Sequence, residues 1–448
     1  MGDAERERMV EENRAASWLN AAIAFDPADP KVALGQLPRA DAVFALYGAD
    51  AHAEPYVGRT PNLRGRLERL LQPSEKHPRR LQLAGRVRRI AWRVTGSEFE
   101  SLLTQFSLLA EIYGAKALER MHLRAPAFVR FLGGNLYPRV VVTHRPSQRE
   151  AGWAYGPFAS RVNAERYAEE MLKLFLLRRC TDDLNPDPSH PGCVYSEMKM
   201  CLAPCYKGCT DERYAEESAA VERFLATRGD SRLVTLRTQR DEASANLEFE
   251  QAAALHAQVQ KVEAVRGLAP ELVRPISQLR AVIVQEAAQP DEVAVFLFEN
   301  GRLRGPAGFS TMGMRIQNEQ SGSSSLWAQP MMLEPVAEKQ GLRDAGTEGL
   351  ETPAVQQKMP RGALEERVEG VLAALARGEP SPSATERQGH MALLKRWYYR
   401  PEAKRKGEIC FPDAEGRWPA KSILRSIGRV AAKSMMAGGG PPSASAQT

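Results

Sequence analysis

AVFALYG at residues 42–48, followed after a short connection by YVGRT at 56–60 and NLRGRLERLL at 62–71, is the stretch whose reading decides the fold. The first two pieces are apolar, β-prone runs on either side of a small turn and read as paired strands. In the third, Leu63, Leu67, Leu70 and Leu71 recur at helical spacing and share one face of an amphipathic helix. Strands that feed a helix are α/β material, and the next segments continue it. RIAWRV at 89–94 alternates Ile90, Trp92 and Val94 as a half-buried strand, and Gly96-Ser97 then opens a helix over about Glu98–Tyr113. On the other side, residues 1–36 read as a helical N-terminal extension.

Further along, RVVVTHR at 139–145 reads as a strand and VNAERYAEEMLKLFLLRR at 162–179 as a long helix. Two helical runs between 231 and 265, broken at SANLEFE, predict a helical hairpin. LRAVIVQ at 279–285 and EVAVFLFENGRLRG at 292–305 predict strands with a tight turn at Asn300-Gly301, a small β-containing module over 269–312. Residues 313–380 carry little periodicity apart from LEERVEGVLAALA and read as a linker. A basic aromatic segment follows at 381–436, and 437–448 reads as a disordered tail, so the C-terminal region is expected to be partly disordered. No internal repeat is present. The fold class is a multidomain α/β chain.

The chain has 448 residues and a formal net charge of +6, distributed unevenly. Residues 59–93 carry eleven Lys and Arg against two acids, residues 395–433 eleven against four, and the remainder is net acidic. Two basic segments in an otherwise acidic chain suit phosphate-backbone contact, here double-stranded DNA, better than general solubility; a solvated surface face is the plainer alternative. The N-terminus is too polar for a signal peptide, and no run approaches the roughly 20 apolar residues of a membrane helix, so a cytoplasmic protein without membrane contact is expected. Five of six cysteines fall between Cys180 and Cys209. In a reducing compartment, Cys180, Cys193, Cys201 and Cys205 within one short segment point to a metal centre, either a [4Fe-4S] cluster or structural zinc, with free buried thiols as the alternative. Cys209 is a spare thiol or a zinc ligand, His190 a loop residue, and Cys410 a core residue.

The order of these pieces resembles the front half of the UvrC excinuclease family. The resemblance rests on AVFALYG with YVGR and NLRGRL, on YGPFAS at 155–160 and LRRC at 177–180, on the cysteines, on NLEFEQAAALHAQV at 246–259 and on the strands after it. It covers about Leu37–Ser310, with a fainter match at LLKRWYYRPEAKRKGEICFP, residues 393–412. It implies a GIY-YIG-like nuclease domain over 37–132, a helix and Cys-rich domain over 133–212 and a UVR hairpin within 213–268. The family's RNase H-like domain and helix-hairpin-helix tail find no counterpart, which would remove its second incision site. Tyr56-Val57-Gly58 matches the second tripeptide of the nuclease motif and Arg66 its arginine. A guanidinium suits that place because phosphodiester cleavage builds charge on phosphoryl oxygens that it binds two at a time. Arg59, Arg64 and Arg69 join Arg66 as expected DNA contacts. LRRC, PGCVY and KMCLAPC resemble the family's iron–sulfur ligand set.

The resemblance also shows what this chain has changed. Phe44 stands where the first tripeptide has tyrosine, Gln105 where the family has a metal-binding glutamate, and Phe128 where it has asparagine. A carboxamide is a poor ligand for Mg²⁺. Catalysis, assigned to Tyr56 and Arg66, is therefore expected to be weak or lost, unless a shifted register lets Glu98, Glu100 or Glu111 supply the carboxylate. Mg²⁺ is expected only with an active site. The hairpin implies contact with the UvrB component of the excinuclease, through Leu247, Phe249, Ala252 and Ala253, side chains suited to close packing between antiparallel helices or between two such hairpins; packing onto its own domain is the alternative. The expected function is a DNA-binding protein of nucleotide excision repair. The alternatives are an active nuclease making a single incision, or a metal-stabilised interaction module without DNA contact.

Overall fold

The computed structural model describes residues 18–50, 53–71, 83–147, 152–181, 184–314, 361–377 and 382–438. Residues 1–17 of the expected extension, 315–360 of the expected linker and 439–448 of the expected tail lie outside the described residues. The fold is mixed α/β, with three four-stranded sheets in which every pairing is antiparallel.

The first sheet has the order β1 (Ala21–Ala24), β4 (Val87–Val94), β2 (Ala42–Gly48), β3 (Tyr56–Thr60). β1 lies in the stretch expected to be helical. Its Ala-Ala-Ile-Ala sequence has no strong helical period, and pairing with β4 outweighs alanine's helix preference. Helices α1 (Pro30–Gln36) and α2 (Leu63–Leu71) cover one face, where Leu34, Leu63, Leu67 and Leu71 meet Ala42, Phe44 and Leu46. α3 (Glu98–Tyr113) covers the other, with Leu108 against Val43, Ala45 and Ala91; a short α4 (Lys116–Arg120) follows it.

The second sheet runs β6 (Val140–Thr143), β5 (Ala127–Phe131), β7 (Ala154–Phe158), β8 (Arg274–Pro275). It is covered by α5 (Arg161–Leu172), which Ser160 caps by accepting from the Asn163 amide. A short α6 (Val194–Glu197) lies in the cysteine segment. α7 (Asp211–Ala226) leads into the hairpin of α8 (Asp230–Ala245) and α9 (Phe249–Gly267). Leu233 and Leu236 of α8 and Val259, Val262 and Val265 of α9 join the same core.

The third sheet runs β11 (Arg302–Ser310), β10 (Glu292–Glu299), β9 (Ala281–Glu286), β12 (Glu408–Cys410). Asn300 and Gly301 both have positive φ, the backbone that a two-residue hairpin turn needs. Three expectations change here. Residues 361–376, placed in the linker, form α10 (Arg361–Ala376), with Leu364, Val368 and Leu372 in the core beneath the sheet. The basic aromatic segment is folded into the same body: β12 pairs with the open edge of β9, while α11 (Ala384–Tyr398) and α12 (Ala420–Gly438) cover opposite faces. The small β-containing module therefore does not end at 312. With both faces covered, β9 and β10 read as continuous apolar runs, AVIV and VAVFLF.

α3 joins the first sheet to the third. While Leu108 packs on the first sheet, Phe99, Leu102, Leu103 and Phe106 pack with Phe296, Phe298, Leu394 and Trp397. Phe99 meets Phe296 edge-on at 5.2 Å between ring centres. α11 approaches so closely that a Cβ at Gly389 would run into the Phe106 ring. Beside it, His390 is buried against that ring, and its Nδ1 accepts from the Leu303 amide at 3.2 Å.

Burial lowers the His390 pKa to about 4, with Glu386 opposing the shift and Arg302 adding to it. Between pH about 6.5 and 4 the unfolded chain binds a proton that the fold refuses, so stability falls as pH drops through that window. The loss attributable to this ring is on the order of 3 kcal/mol. His390→Asn, whose Oδ1 can accept from Leu303 without titrating, should lose less stability than the parent in urea unfolding between pH 7 and 4.5. Identical losses in the two proteins would rule the ring out as the cause.

Candidate functional site

The residues singled out for nuclease chemistry fall in three places. In the β2–β3 register, Phe44 lies opposite Gly58 and Leu46 opposite Tyr56. Phe44 and Tyr56 share the α2 face of the sheet, their ring centres 6.2 Å apart. A Cβ at Gly58 would stand 2.7 Å from the Phe44 ring, so packing alone requires glycine in the YVG tripeptide. Arg66 is half-buried on α2. Gln105 is half-buried on α3, in the stripe of Ser101, Leu108 and Ile112, against the opposite face. Phe128 is buried in β5 of the second sheet. The three altered positions thus do not share one face of the first sheet.

The expected DNA-contacting arginines divide as well. Arg64 is committed to the fold: its Nε donates to the Leu37 carbonyl at 2.7 Å and its Nη2 to Gly35 at 2.6 Å, satisfying carbonyls that the end of α1 leaves open. Arg69 is exposed, with its Nε on the Gly65 carbonyl at 2.9 Å. Arg59 points to the α3 side, where Nη2 lies 3.6 Å from Glu98.

Sequence reasoning missed what holds Glu98. Arg400, from the second basic segment, donates two parallel 2.8 Å hydrogen bonds to its carboxylate. These bonds, with Arg59 and Arg396 nearby, hold the carboxyl below its usual range. The two basic segments meet on one acid. The signal available was the density of arginine in RWYYR, but not its target. The other α3 carboxylates are engaged too. Glu100 is buried, accepts from the Gly96 amide at 2.9 Å and lies 3.8 Å from Arg93; burial raises its pKa. Glu111 is exposed at the far end of the helix and is also partnered.

Cys180, Cys193, Cys201 and Cys205 line one small cavity. Backbone bonds from Leu202 to Leu176 and from Asp187 to Cys205 draw the segment's strands of chain around it. Burial pushes the Cys201 thiol up to about 11, and the neighbouring Cys180, Cys193 and Cys205 add to the shift, so the thiols stand close enough to repel as thiolates. Among the described residues, no three Cys, His, Asp or Glu side chains are arranged as a ligand group for a metal ion. What the four cysteines share is the lining of that one cavity. Cys209 lies outside that lining and beside Asp211 and Arg213. His190 accepts from the Gly192 amide in its own loop, and Cys410 is buried against Ser426. Arg178 is a further residue to add: it is buried, with Nη1 3.6 Å from Cys180 Sγ and Nε on the Tyr137 carbonyl. The LRRC doublet was its signal, since a guanidinium beside thiolates offsets their charge.

The α8–α9 hairpin is anchored at its base and bare at its tip. Leu247, with positive φ, is 71% exposed and Phe249 is 66% exposed, whereas Ala252 is half-buried and Ala253 exposed. Leu247 and Phe249 do not fill the space between the two helices, so of the two packings expected it is the one against a second hairpin that they are free to make. The tip projects them outward.

With this geometry in view, the comparisons are specific. Residues 129–224 match the UvrC/Cho excinuclease middle domain and 230–265 the UvrB/uvrC motif. The chain carries the UvrC-family middle domain and UVR motif. The UvrABC system protein C of Alcanivorax borkumensis is 30% identical over 238 residues, 53% of this chain and 39% of that protein. Its counterpart in Ruminiclostridium cellulolyticum is 28% identical over 298 residues, 65% of this chain and 47% of that one. The chain spans less than half the length of these curated relatives. No solved structure matches. The UVR motif coincides with α8 and α9, and the middle domain begins in β5 and ends in α7. No described helix is long and apolar enough to cross a membrane.

Arg64→Ala should destabilise the fold by about 1–2 kcal/mol, because two carbonyls lose a charged donor. Arg64→Lys should fall nearly as far, since an ammonium cannot reproduce the two-pronged geometry. Urea unfolding checks this, and unchanged midpoints would show the bonds to be idle.

Proposed function

We propose that the chain is a repair protein of UvrC type that docks UvrB through its UVR hairpin and holds duplex DNA, with a GIY-YIG-like module that cleaves weakly or not at all. The observation that carries the reading is the hairpin itself. It lies within the matched motif, its base is fixed in the middle-domain core, and its tip presents Leu247 and Phe249 to solvent. Exposed large apolar side chains at the tip of an anchored hairpin favour a protein partner. DNA contact is supported by the two basic segments, with Arg66 and Arg69 on α2 not committed to carboxylates among the described residues. Impaired cleavage is supported by Phe44, which brings no hydroxyl beside Tyr56, and by the engagement of Glu98, Glu100 and Glu111. Such an arrangement offers Mg²⁺ no free carboxylate on α3.

One set of measurements tests this reading. The protein should bind duplex DNA with an affinity that falls as salt rises, yet leave a lesion-bearing duplex uncut in Mg²⁺. It should retain UvrB in a pull-down, and Phe249→Ala should weaken that capture by on the order of 3 kcal/mol. Equal capture by parent and variant would remove the hairpin from the contact; robust incision would restore the nuclease.

For the thiol cavity, we propose a [4Fe-4S] cluster held by Cys180, Cys193, Cys201 and Cys205, with structural zinc as the competing occupant. The donor set fits: four sulfur ligands suit either metal, and the crowded thiols, unfavourable as bare thiolates, gain stability from a bound cationic centre. When bound, the cluster would cross-link the segment between α5 and α7, with Arg178 offsetting negative charge at Cys180. Anaerobically purified protein should be brown with about four irons per chain, and Cys201→Ala should lose colour and stability together. Stoichiometric zinc in a colourless protein would replace the cluster by a zinc site.

A further inference from the structure

α9 buries one apolar face in the fold, while its solvent side mixes Phe249 and exposed alanines with polar residues such as His256 and Gln260. Val259, Val262 and Val265 are buried in the middle-domain core. Phe249, Ala253, Ala257 and Ala264 recur at helical spacing along the other side and are exposed. That exposed stripe does not end in open solvent. At the C-terminal end of α9 it runs into a groove of about 390 Å³ between α9 and α5. Leu174, Leu268 and Ala264 contribute apolar lining, and Arg166, Lys173 and Lys261 are its cations. Glu170, the one acid lining the groove, is held by Lys173 at 2.7 Å. Among the described residues Arg166 and Lys261 have no ion-pair partner.

We propose that the solvent face of α9 and this groove form one docking track for an amphipathic helix of a partner protein, apolar along the stripe and carboxylate-bearing where it enters the groove. The inference rests on the reading of the hairpin as a partner-binding element and extends it from the tip to the base. Charge complementarity selects the occupant. The groove has two unpaired cations over an apolar floor, which a nucleic-acid backbone would not cover but a helix with leucines and glutamates would. Continuity gives the length: Phe249 to Leu268 spans about 28 Å of α9, matched by about five turns of partner helix. Small alanines along the middle of the track allow close approach of a second helix.

The test uses the full chain and a fluorescein-labelled helical peptide of about 20 residues, with a leucine–alanine stripe and glutamates in its last two turns. A control peptide carries lysines in place of the glutamates. Anisotropy should show saturable binding of the glutamate peptide, weakened at least about tenfold in Arg166→Glu/Lys261→Glu. The lysine peptide should show the reverse preference. Ala257→Arg, an exposed site in mid-track, should block both peptides without touching the groove. Circular dichroism confirms that each variant is folded. Absence of saturable binding, or equal binding by parent and charge-reversed protein, overturns the track. UvrB is titrated in parallel. If UvrB binds through Phe249 but ignores the groove reversal, the hairpin reading stands and the track falls. If the peptide binds with the expected charge dependence and UvrB does not bind, the track stands and the choice of partner falls.

Discussion

Burial of α3 from two sides is the constraint on which much of this molecule depends. A helix carrying Phe99, Leu102, Leu103, Phe106, Leu108 and Leu109 has no broad polar face to give to water. It closes the first sheet through Leu108 and the third sheet through its phenylalanines, so the two sheets are joined through one helix. Gly389 exists in that seam because the Phe106 ring occupies the space of a side chain. The same sandwich fixes the carboxylates of α3: Glu98 is carried to the rim, where arginines reach it, and Glu100 is drawn inside, where the Gly96 amide satisfies it.

Charge in this chain serves architecture more than its composition suggests. Arg64 ends a helix, Arg178 sits beside a thiol, and Arg59 and Arg400 converge on Glu98 from basic segments far apart in the chain. A guanidinium serves these purposes because its rigid fork satisfies two acceptors at once. Net charge over a segment therefore counts potential phosphate contacts without showing which remain open. On α2 the difference is two residues: Arg64 is committed and, among the described residues, Arg66 is not.

The hairpin shows a related division of labour along one helix. Valines near the C-terminal end of α9 hold it in the middle-domain core, while the tip leaves Leu247 and Phe249 exposed. The cysteine cavity lies in the same body, in the segment that leads into α7, so an occupant there would brace the platform from which the hairpin projects.

Periodicity and short-range chemistry made much of this legible in advance. The spacing of Leu63, Leu67 and Leu71, the alternation of RIAWRV, the Ser97 start of α3, the Asn300-Gly301 turn and the break at SANLEFE are local signals, because neighbouring residues along one element determine them. The four cysteines were legible for the same reason, being close in sequence. What the sequence could not convey was which elements share a surface. Residues 21–24 become a strand only because β4 offers an edge, and 408–410 become a strand only because β9 does. An apolar run cannot say whether one or two partners cover it, so α3 looked like an ordinary helix of its own module. Gln105 and Phe44 aligned as parts of one altered site in the chain, whereas sheet alternation puts them against opposite faces; Phe128, on a strand of the second sheet, packs in the same cluster as the phenylalanines of α3. The clamp on Glu98 joins residues some three hundred positions apart, and contacts at that range leave no local pattern, since only tertiary packing brings their backbones together.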